Sequence, residues 1–278
     1  MNRYFSIFFI LAAAAGLGCS DNNPLAPEAD LVVLRGYLYA GEPVTEIQLT
    51  STLGLGSTDT VAPAIPDAQV TLIKDQARYS LEATSGRPGY YNYPGSDLQV
   101  ASGDQFRIEV SYFGKLASAE TVVPAAPVEL TISGSQLEVR SFSFDSIGFG
   151  FGRGFLEQDT TGLEVDWQNA DGSTFYVTLD NLEADPQPVD TRFPSDRPGR
   201  IISVPISTSE YRINRIQVTH LGRYRVKVYR VNQEYADLYR SRNQDSRDLN
   251  EPLTNVANGL GVFTAFNSDS VFFQAVQP

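Results

Sequence analysis

Cys19 is the residue whose surroundings most clearly assign it a chemical reaction. It is the only cysteine in the chain. A short basic start is followed by an apolar run from Tyr4 to Ala15, and small residues then lead into Cys19. An apolar run of this length is typical of a secretory signal and is too short for a transmembrane helix. The pattern predicts acylation of the Cys19 sulfur, with residues 1–18 removed as a lipoprotein signal peptide.

A second interpretation of this segment stays open. Gly16 stands where a lipoprotein signal usually has leucine, and Leu17 comes one position later. An ordinary secretory signal cut near Ala15 would leave Cys19 as a free thiol. Two or three acyl chains give a stable membrane anchor, whereas a single chain holds only marginally. We expect attachment to a membrane through Cys19, followed by a polar tether over residues 19–30.

The rest of the sequence lacks the groups that nucleophilic or acid–base catalysis requires. His220 is the only histidine, and it ends a predicted strand, which indicates a strand-end or partly buried side chain. No G-x-S-x-G motif is present, and an acylated Cys19 is not available as a nucleophile. We therefore predict that the protein is not an enzyme and uses no cofactor.

Metal and nucleotide sites are not predicted either. One histidine and one cysteine cannot supply a zinc site. The segment from Trp167 to Gly172 lacks the carboxylate that opens a calcium loop, although an irregular site from Asp180, Glu183 and Asp185 stays an alternative. The alternating glycines of residues 148–155 do not have the G-x-G-x-x-G spacing of a dinucleotide site.

Two aromatic clusters are candidates for contact with a ligand or a partner. In GFGFGRGF, residues 148–155, an extended backbone would place the glycines on one face and the larger side chains on the other. Those larger side chains are Phe149, Phe151, Arg153 and Phe155. The second cluster consists of Tyr90, Tyr91 and Tyr93. Exposed rings of this kind stack on sugars or bind proteins. The alternative for each cluster is structural, with the phenylalanines packed on a sandwich and alternate tyrosines pointing into the core.

Composition and periodicity indicate an all-β protein. The sequence has 22 Gly and 16 Pro, and these residues separate short segments of alternating apolar and polar side chains. The clearest period-2 strand places Phe106, Ile108, Val110 and Tyr112 on one face.

The formal net charge of -12 argues against nucleic acid as a partner and against binding of anionic lipid through a basic patch.

The chain is long enough for two domains, which we predict to be antiparallel β-sandwiches. Residues 124–127 contain two prolines, remove two backbone donors and mark the boundary. Residues 31–123 resemble a transthyretin-like or immunoglobulin-like sandwich, and this resemblance implies such a fold for the first domain. Residues 128–278 predict a fibronectin type III-like or immunoglobulin-like sandwich, with Trp167 as a core anchor and one short helix near residues 232–243.

Finer expectations concern three segments of the second domain. Residues 169–173 predict a hairpin turn between two paired strands. Residues 259–266 and 270–276 predict two separate strands that close this domain.

After the signal peptide no apolar run is long enough to span a bilayer, so we expect no transmembrane helix.

Three stretches together resemble a known family. They are residues 34–50, the segments PDAQVTLIKD, PGYY and GDQFRIEV within residues 66–110, and NEPLTNVANGLGVFTAFN at residues 250–267. The sequence is similar to the Bacteroidota lipoproteins grouped under domain of unknown function 4249, over nearly the whole mature chain. The most specific part of the likeness is Asn258–Phe263, which follows a helix and a Glu-Pro pair.

This resemblance implies an outer-membrane lipoprotein, often encoded near TonB-dependent transporters, with no established enzymatic activity. We therefore expect a non-enzymatic accessory protein of a TonB-dependent transport system, anchored through Cys19 on the periplasmic or the cell-surface face of the outer membrane. The alternative is a surface lipoprotein that binds glycans or peptides through its aromatic clusters.

Overall fold

The described part of the chain is built almost entirely of β-strands. The computed structural model describes residues 31–53, 57–139, 162–189, 199–242 and 254–278. Within these ranges the chain forms fifteen strands, one short α-helix and one turn of 3-10 helix. The prediction of an all-β protein with one short helix is confirmed. No helix in these ranges has both the length and the apolar character needed to cross a membrane.

Seven strands make up the first half of the fold. They are β1 (Val32–Tyr39), β2 (Ile47–Ser51), β3 (Gln69–Lys74), β4 (Ala77–Ala83), β5 (Tyr90–Asn92), β6 (Gln105–Tyr112) and β7 (Lys115–Val122). The second half contains β8 (Val128–Ile132), β9 (Gln136–Glu138), β10 (Gly162–Gln168), β11 (Thr174–Asn181), β12 (Ile201–Ile202), β13 (Glu210–Asn214), the 3-10 helix Arg215–Gln217, β14 (Gly222–Val231), α1 (Gln233–Arg242) and β15 (Leu260–Val276).

One large sheet links both halves of the chain. Its strand order is β12-β11-β14-β15-β1-β2-β5-β4-β3-β6-β7, and β9 pairs with the end of β15. A second sheet has the order β13-β10-β8. The large sheet folds over the first hydrophobic core, while its other end and the three-stranded sheet enclose the second core.

Alternating side chains account for the first core. On β6 the inward residues Phe106, Ile108 and Val110 are all buried, as the period-2 pattern predicts. Opposite them lie Leu34 and Leu38 of β1, which are also buried. Burying one such side chain contributes about 1.5–3 kcal/mol, so this face fixes the register of the strands.

The edge of β7 is covered by the segment that leads into β15. Ser118 and Ala257 exchange two backbone hydrogen bonds, of 3.1 and 2.8 Å. The side chains of Asn255 and Asn258 donate to the carbonyls of Glu120 and Leu116. The first sandwich therefore does not leave β7 as a bare edge that another chain could extend.

The second core contains the predicted tryptophan anchor. Trp167 is buried on β10 together with Leu163 and Val165, and its ring centroid lies 5.4 Å from that of Phe175 on β11. Val226 of β14 packs in the same cluster. The prediction of Trp167 as a core anchor is confirmed.

The predicted hairpin at residues 169–173 is wrong. Strand β10 before this segment pairs with β8 and β13, while β11 after it pairs with β12 and β14. The segment therefore crosses from one sheet to the other. Its turn chemistry is nevertheless present, because Gly172 has a positive φ of 68° and the Asp171 carboxylate accepts the backbone N–H of Ser173.

The prediction of two closing strands in the second domain is also wrong. Residues Leu260–Val276 form one continuous strand, β15, of 17 residues. Its first part pairs in parallel with β1, from Val33 opposite Leu260 to Tyr39 opposite Phe266. Its second part pairs with β14. Phe263, in the first part, is buried in the first core. A strand placed last in the sequence therefore completes both sandwiches.

Candidate functional site

Tyr91 is a core residue, which corrects its prediction as a surface contact and agrees with the alternative that alternate tyrosines point into the core. Its side chain is 1% exposed. The hydroxyl donates a hydrogen bond to the Ile65 carbonyl (2.8 Å) and accepts one from the Ala68 N–H (2.9 Å). Burial raises the pKa of this phenol. Tyr91 therefore holds the segment before β3 against the sandwich and cannot offer its ring to a ligand.

Tyr90 faces the other way and is partly covered. The guanidinium of Arg87 lies over its ring, 4.0 Å from the centroid. The same guanidinium forms an ion pair with Glu46 at 2.6 Å. A cation over an aromatic face is a favourable contact, so a sugar that stacked on this face would have to displace Arg87.

Tyr93 is the predicted contact residue that lines a cavity. Its hydroxyl donates to Asp97 at 2.7 Å, and this hydrogen bond raises the pKa of the phenol. The ring meets Tyr79 edge-on at 5.4 Å between centroids. A Cβ at Gly95 would lie only 2.6 Å from the ring, so the backbone at Gly95 also packs closely against it. The half-buried ring of Tyr93 is thus fixed in position.

The cavity beside Tyr93 has a volume of about 750 Å³. Its walls come from residues 40–44, from Tyr93 and residues 95, 96 and 98–101, and from Asn267 of β15. The carboxylate of Glu42 reaches Lys227 of β14 at 3.0 Å, so the cavity opens at the end of the first sandwich that faces the second. An aromatic ring next to amide and hydroxyl groups is a common lining for sites that bind small polar ligands.

A cluster of six aromatic side chains lies where β15 passes from one sandwich to the other. We call it the junction cluster: Tyr37, Tyr39, Tyr176, Tyr229, Tyr235 and Phe266. Phe266 stacks on Tyr39 at 5.1 Å, and Tyr176 stacks on Tyr229 at 4.6 Å. Burial raises the pKa of Tyr39 and of Tyr176. No local pattern in the sequence predicts this cluster, although the alternate tyrosines of β1, Tyr37 and Tyr39, are a visible signal of it.

A second cavity, of about 570 Å³, lies between the first sandwich and helix α1. Asn232 precedes the helix, and its side-chain amide donates to the Thr121 hydroxyl (3.0 Å) and to the Val122 carbonyl (2.7 Å). Thr121 donates in turn to Glu234 at 2.8 Å. The polar groups at this contact are therefore engaged in fastening the helix to β7.

His220 is buried, more deeply than the partly buried position that the sequence predicts. It is 1% exposed, and its Nδ1 atom lies 2.9 Å from the hydroxyl of Thr219. The Tyr224 hydroxyl donates to the His220 carbonyl at 3.0 Å. A histidine enclosed in this way is not positioned to exchange protons with a substrate in solvent.

The carboxylates considered for calcium have protein partners. Asp180 forms ion pairs with Arg200 (3.0 Å) and Arg225 (3.2 Å). Glu183 accepts a backbone N–H at 2.8 Å, and Asp185 accepts a side-chain amide at 3.2 Å. Across the described ranges, no group of three or more His, Cys, Asp or Glu side chains is placed to hold a metal ion.

Five predicted site residues lie outside the described residues. They are Cys19, Phe149, Phe151, Arg153 and Phe155. Their assignments stay predictions. Of the predicted contact residues that the structure describes, Tyr93 lines the cavity of about 750 Å³, and Tyr90 and Tyr91 do not line it.

The fold is that of an all-β protein in which two sandwiches share one strand, β15. The chain belongs to the family described as "Domain of unknown function (DUF4249)", which matches residues 21–271. None of the curated proteins matches it. Among solved structures, the titin domains A168–A170 match with 10% sequence identity, 89% coverage of this chain, 67% coverage of the titin chain and a TM-score of 0.23.

Proposed function

We propose that this protein is a non-enzymatic lipoprotein of the outer membrane, anchored through Cys19 and acting as an accessory subunit of a TonB-dependent transport system. The proposal includes an origin in the Bacteroidota, as the sequence resemblance implies. The DUF4249 match supports it, because it covers residues 21–271 and so begins directly after the predicted lipidation site.

The course of β15 is the structural observation that carries the proposal. β15 starts beside the first residues of β1, with Leu260 opposite Val33, and therefore begins near the point where the chain arrives from Cys19. It then runs for 17 residues, or about 50 Å at the usual rise per residue. The second sandwich is built on its far part, from Phe266 onwards. A protein anchored at Cys19 would present this sandwich to a partner at a distance from its anchor.

The state of the ionisable side chains supports a binding role over a catalytic one. His220 is enclosed, and Asp180 is held by two arginines. Lys227 contacts Glu42, and hydrogen bonds to Tyr229 and Glu42 raise its pKa even though burial opposes this. The side chains of Asp180 and Lys227 therefore hold strands and sandwiches together, and His220 is enclosed. A protein that acts as a rigid scaffold for a partner needs such structural contacts.

Isolation in mild detergent tests the proposed association. We expect the wild-type protein, carrying an affinity tag at its C-terminus, to bring with it an outer-membrane barrel of the TonB-dependent class. The Cys19→Ser variant should lose the barrel, whereas Ser20→Ala should retain it as the matched control. Recovery of the wild type only as a free monomer, from cells where it is abundant, would contradict the proposal.

The cavity beside Tyr93 favours a second candidate function, the binding of a glycan or a peptide at the cell surface. Its aromatic ring, carboxylate and amide groups suit a polar ligand. On a glycan array, Tyr93→Ala should abolish binding while Tyr90→Ala, which lies outside the cavity, should not. Equal binding by both variants would exclude this cavity as the site.

A further inference from the structure

The hairpin between β6 and β7 ends in an exposed aromatic side chain. Phe113 is 80% exposed, and Leu116, just after the turn, is 48% exposed. The ring of Phe113 lies 4.3 Å from that of Tyr112, which packs on the first core. The tip of the hairpin therefore presents an apolar surface to its surroundings. We call residues 112–116 the hairpin tip.

The backbone of the tip makes the choice of phenylalanine unusual. Phe113 and Gly114 have positive φ angles of 46° and 75°, as both central residues of a type I′ turn require. Asn, Asp and Gly are favoured at such positions, and a bulky residue there is uncommon. The hairpin between β3 and β4 uses polar Asp75 and Gln76 in the same arrangement. Unfavourable backbone geometry combined with an exposed ring indicates a contact outside the fold.

The tip lies at the end of the sandwich where the chain arrives from Cys19. The Asn258 side chain donates to the Leu116 carbonyl at 3.2 Å. Next along the chain, a Cβ at Gly259 would lie 2.8 Å from the Val32 carbonyl and 3.3 Å from the Ala117 Cβ. Strand β7 runs away from this end, so residues 113 and 114 project beyond it.

Other exposed apolar side chains surround the same end. The Leu31 carbonyl accepts a hydrogen bond from the N–H of Thr52, which places Leu53 beside the start of β1. Leu53 is 37% exposed. Val61 is 77% exposed and lines a small cavity with Val33 near the start of β1. Large exposed apolar groups at one end of a soluble domain mark an interaction site.

Chain length and charge point to the bilayer as what this end contacts. Eleven residues separate Cys19 from Leu31, so the acylated sulfur is held within about 40 Å of β1 even when this segment is fully extended. Such tethering keeps the tip at a high effective concentration near the membrane. The chain has a net charge of -12, yet the tip contains no carboxylate and one lysine, Lys115. An apolar and aromatic tip with a lysine fits the headgroup boundary of a bilayer.

We infer that Phe113 and Leu116 insert into the interfacial region of the phospholipid bilayer that holds the acyl chains on Cys19. This inference rests on the proposed lipid anchor. The membrane then has two contacts with the protein, a covalent lipid and an apolar tip. The second contact sets the orientation of β15, so that the second sandwich points away from the bilayer surface.

Fluorescence of a tryptophan introduced at the tip tests the inference. The lipidated mature protein with Phe113→Trp is purified and inserted into vesicles of phosphatidylethanolamine and phosphatidylglycerol, with or without brominated acyl chains. We expect a blue shift of the introduced indole on insertion and loss of most of its emission to brominated lipid. Trp167, the only natural tryptophan, is buried in the second core and serves as an unquenched internal reference.

A matched control and the mass of the N-terminal peptide separate the outcomes. Phe272→Trp, on the far part of β15 where Phe272 is 41% exposed, should show neither the shift nor the quenching. Lipid on Cys19 with no quenching at position 113 overturns the tip contact alone. Absence of lipid on Cys19 overturns both proposals. Protection of position 113 in native membranes but not in vesicles would assign the tip to a protein partner and would also overturn the inference.

Discussion

Gly261 lies directly against the carbonyl of Leu34, where β1 and the start of β15 run side by side. A Cβ atom at position 261 would overlap the Leu34 carbonyl oxygen, and the φ angle of Gly261 is +106°. This glycine belongs to the segment Asn258–Phe263 on which the family resemblance most depends. The close approach explains that part of the sequence pattern, because only glycine permits the parallel pairing of the two strands here.

Gly261→Ala should therefore destabilise the protein by about 3 kcal/mol or more, since the change combines an unfavourable φ with a backbone clash. Gly199→Ala is the matched control, because nothing lies within 4 Å of a Cβ placed there, and it should change stability by less than about 0.5 kcal/mol. Urea unfolding curves measure both values. Equal stability of the two variants would contradict the pairing of β1 with β15.

The junction cluster should make the protein sensitive to alkaline pH. Burial raises the pKa of Tyr39 and Tyr176, so both stay protonated in the folded state at a pH where the unfolded chain ionises. Their contribution to stability is fully present below the unfolded pKa of about 10 and is lost as the pH rises towards the folded pKa. We expect Tyr39 and Tyr176 to ionise only as the protein unfolds, and Tyr176→Phe to weaken the pH dependence of stability. Absorbance and circular dichroism, recorded together during an alkaline titration, measure ionisation and unfolding, and ionisation of these two tyrosines in a folded protein would refute this.

Truncation should destabilise the protein much more at Tyr91 than at Tyr90. Tyr91→Ala removes a buried ring and should cost about 3–5 kcal/mol of stability. Tyr91→Phe keeps the ring but leaves the Ala68 N–H and the Ile65 carbonyl unpaired, at a cost of about 1–3 kcal/mol. Tyr90→Ala loses mainly the contact with Arg87, worth about 1 kcal/mol. Chemical denaturation distinguishes these values, and similar losses for both alanine variants would argue against the burial described.

Two substitutions at Phe113 test the left-handed turn without relying on its ring. Both Phe113→Asn and Phe113→Ala remove the contact with Tyr112, but asparagine tolerates a positive φ and alanine does not. The asparagine variant should be more stable than the alanine variant by about 1 kcal/mol. Thermal unfolding measures the difference. Greater stability of the alanine variant would mean that the turn does not have this conformation.

Local periodicity predicts much of this fold. The buried faces of β6, β10 and β14 follow from side chains that alternate along single strands, and Trp167 is found in the core where the pattern places it. Pairing between distant strands is not encoded in this way. The turn at residues 169–173 has hairpin chemistry but connects two sheets, and the pairing of β15 with β1 depends on a close contact at Gly261.

The candidate site was predictable only in part. The three tyrosines of residues 90–93 are alike in sequence, yet Tyr91 is fixed inside by Ile65 and Ala68 while Tyr93 lines a cavity formed with Asn267. These partners are distant along the chain, so no local pattern reveals them. The signal at Cys19 is different, because its information is contained in the neighbouring residues alone.

The proposed lipid anchor is tested by fractionation of cells that produce the wild-type protein or the Cys19→Ser variant, together with the mass of the N-terminal peptide. We expect the wild type in the outer membrane, with an acylated Cys19 as its first residue, and the variant released from the membrane. A variant that stays equally membrane-bound, or a wild-type protein cut near Ala15 with a free thiol at Cys19, would show that Cys19 is not the anchor.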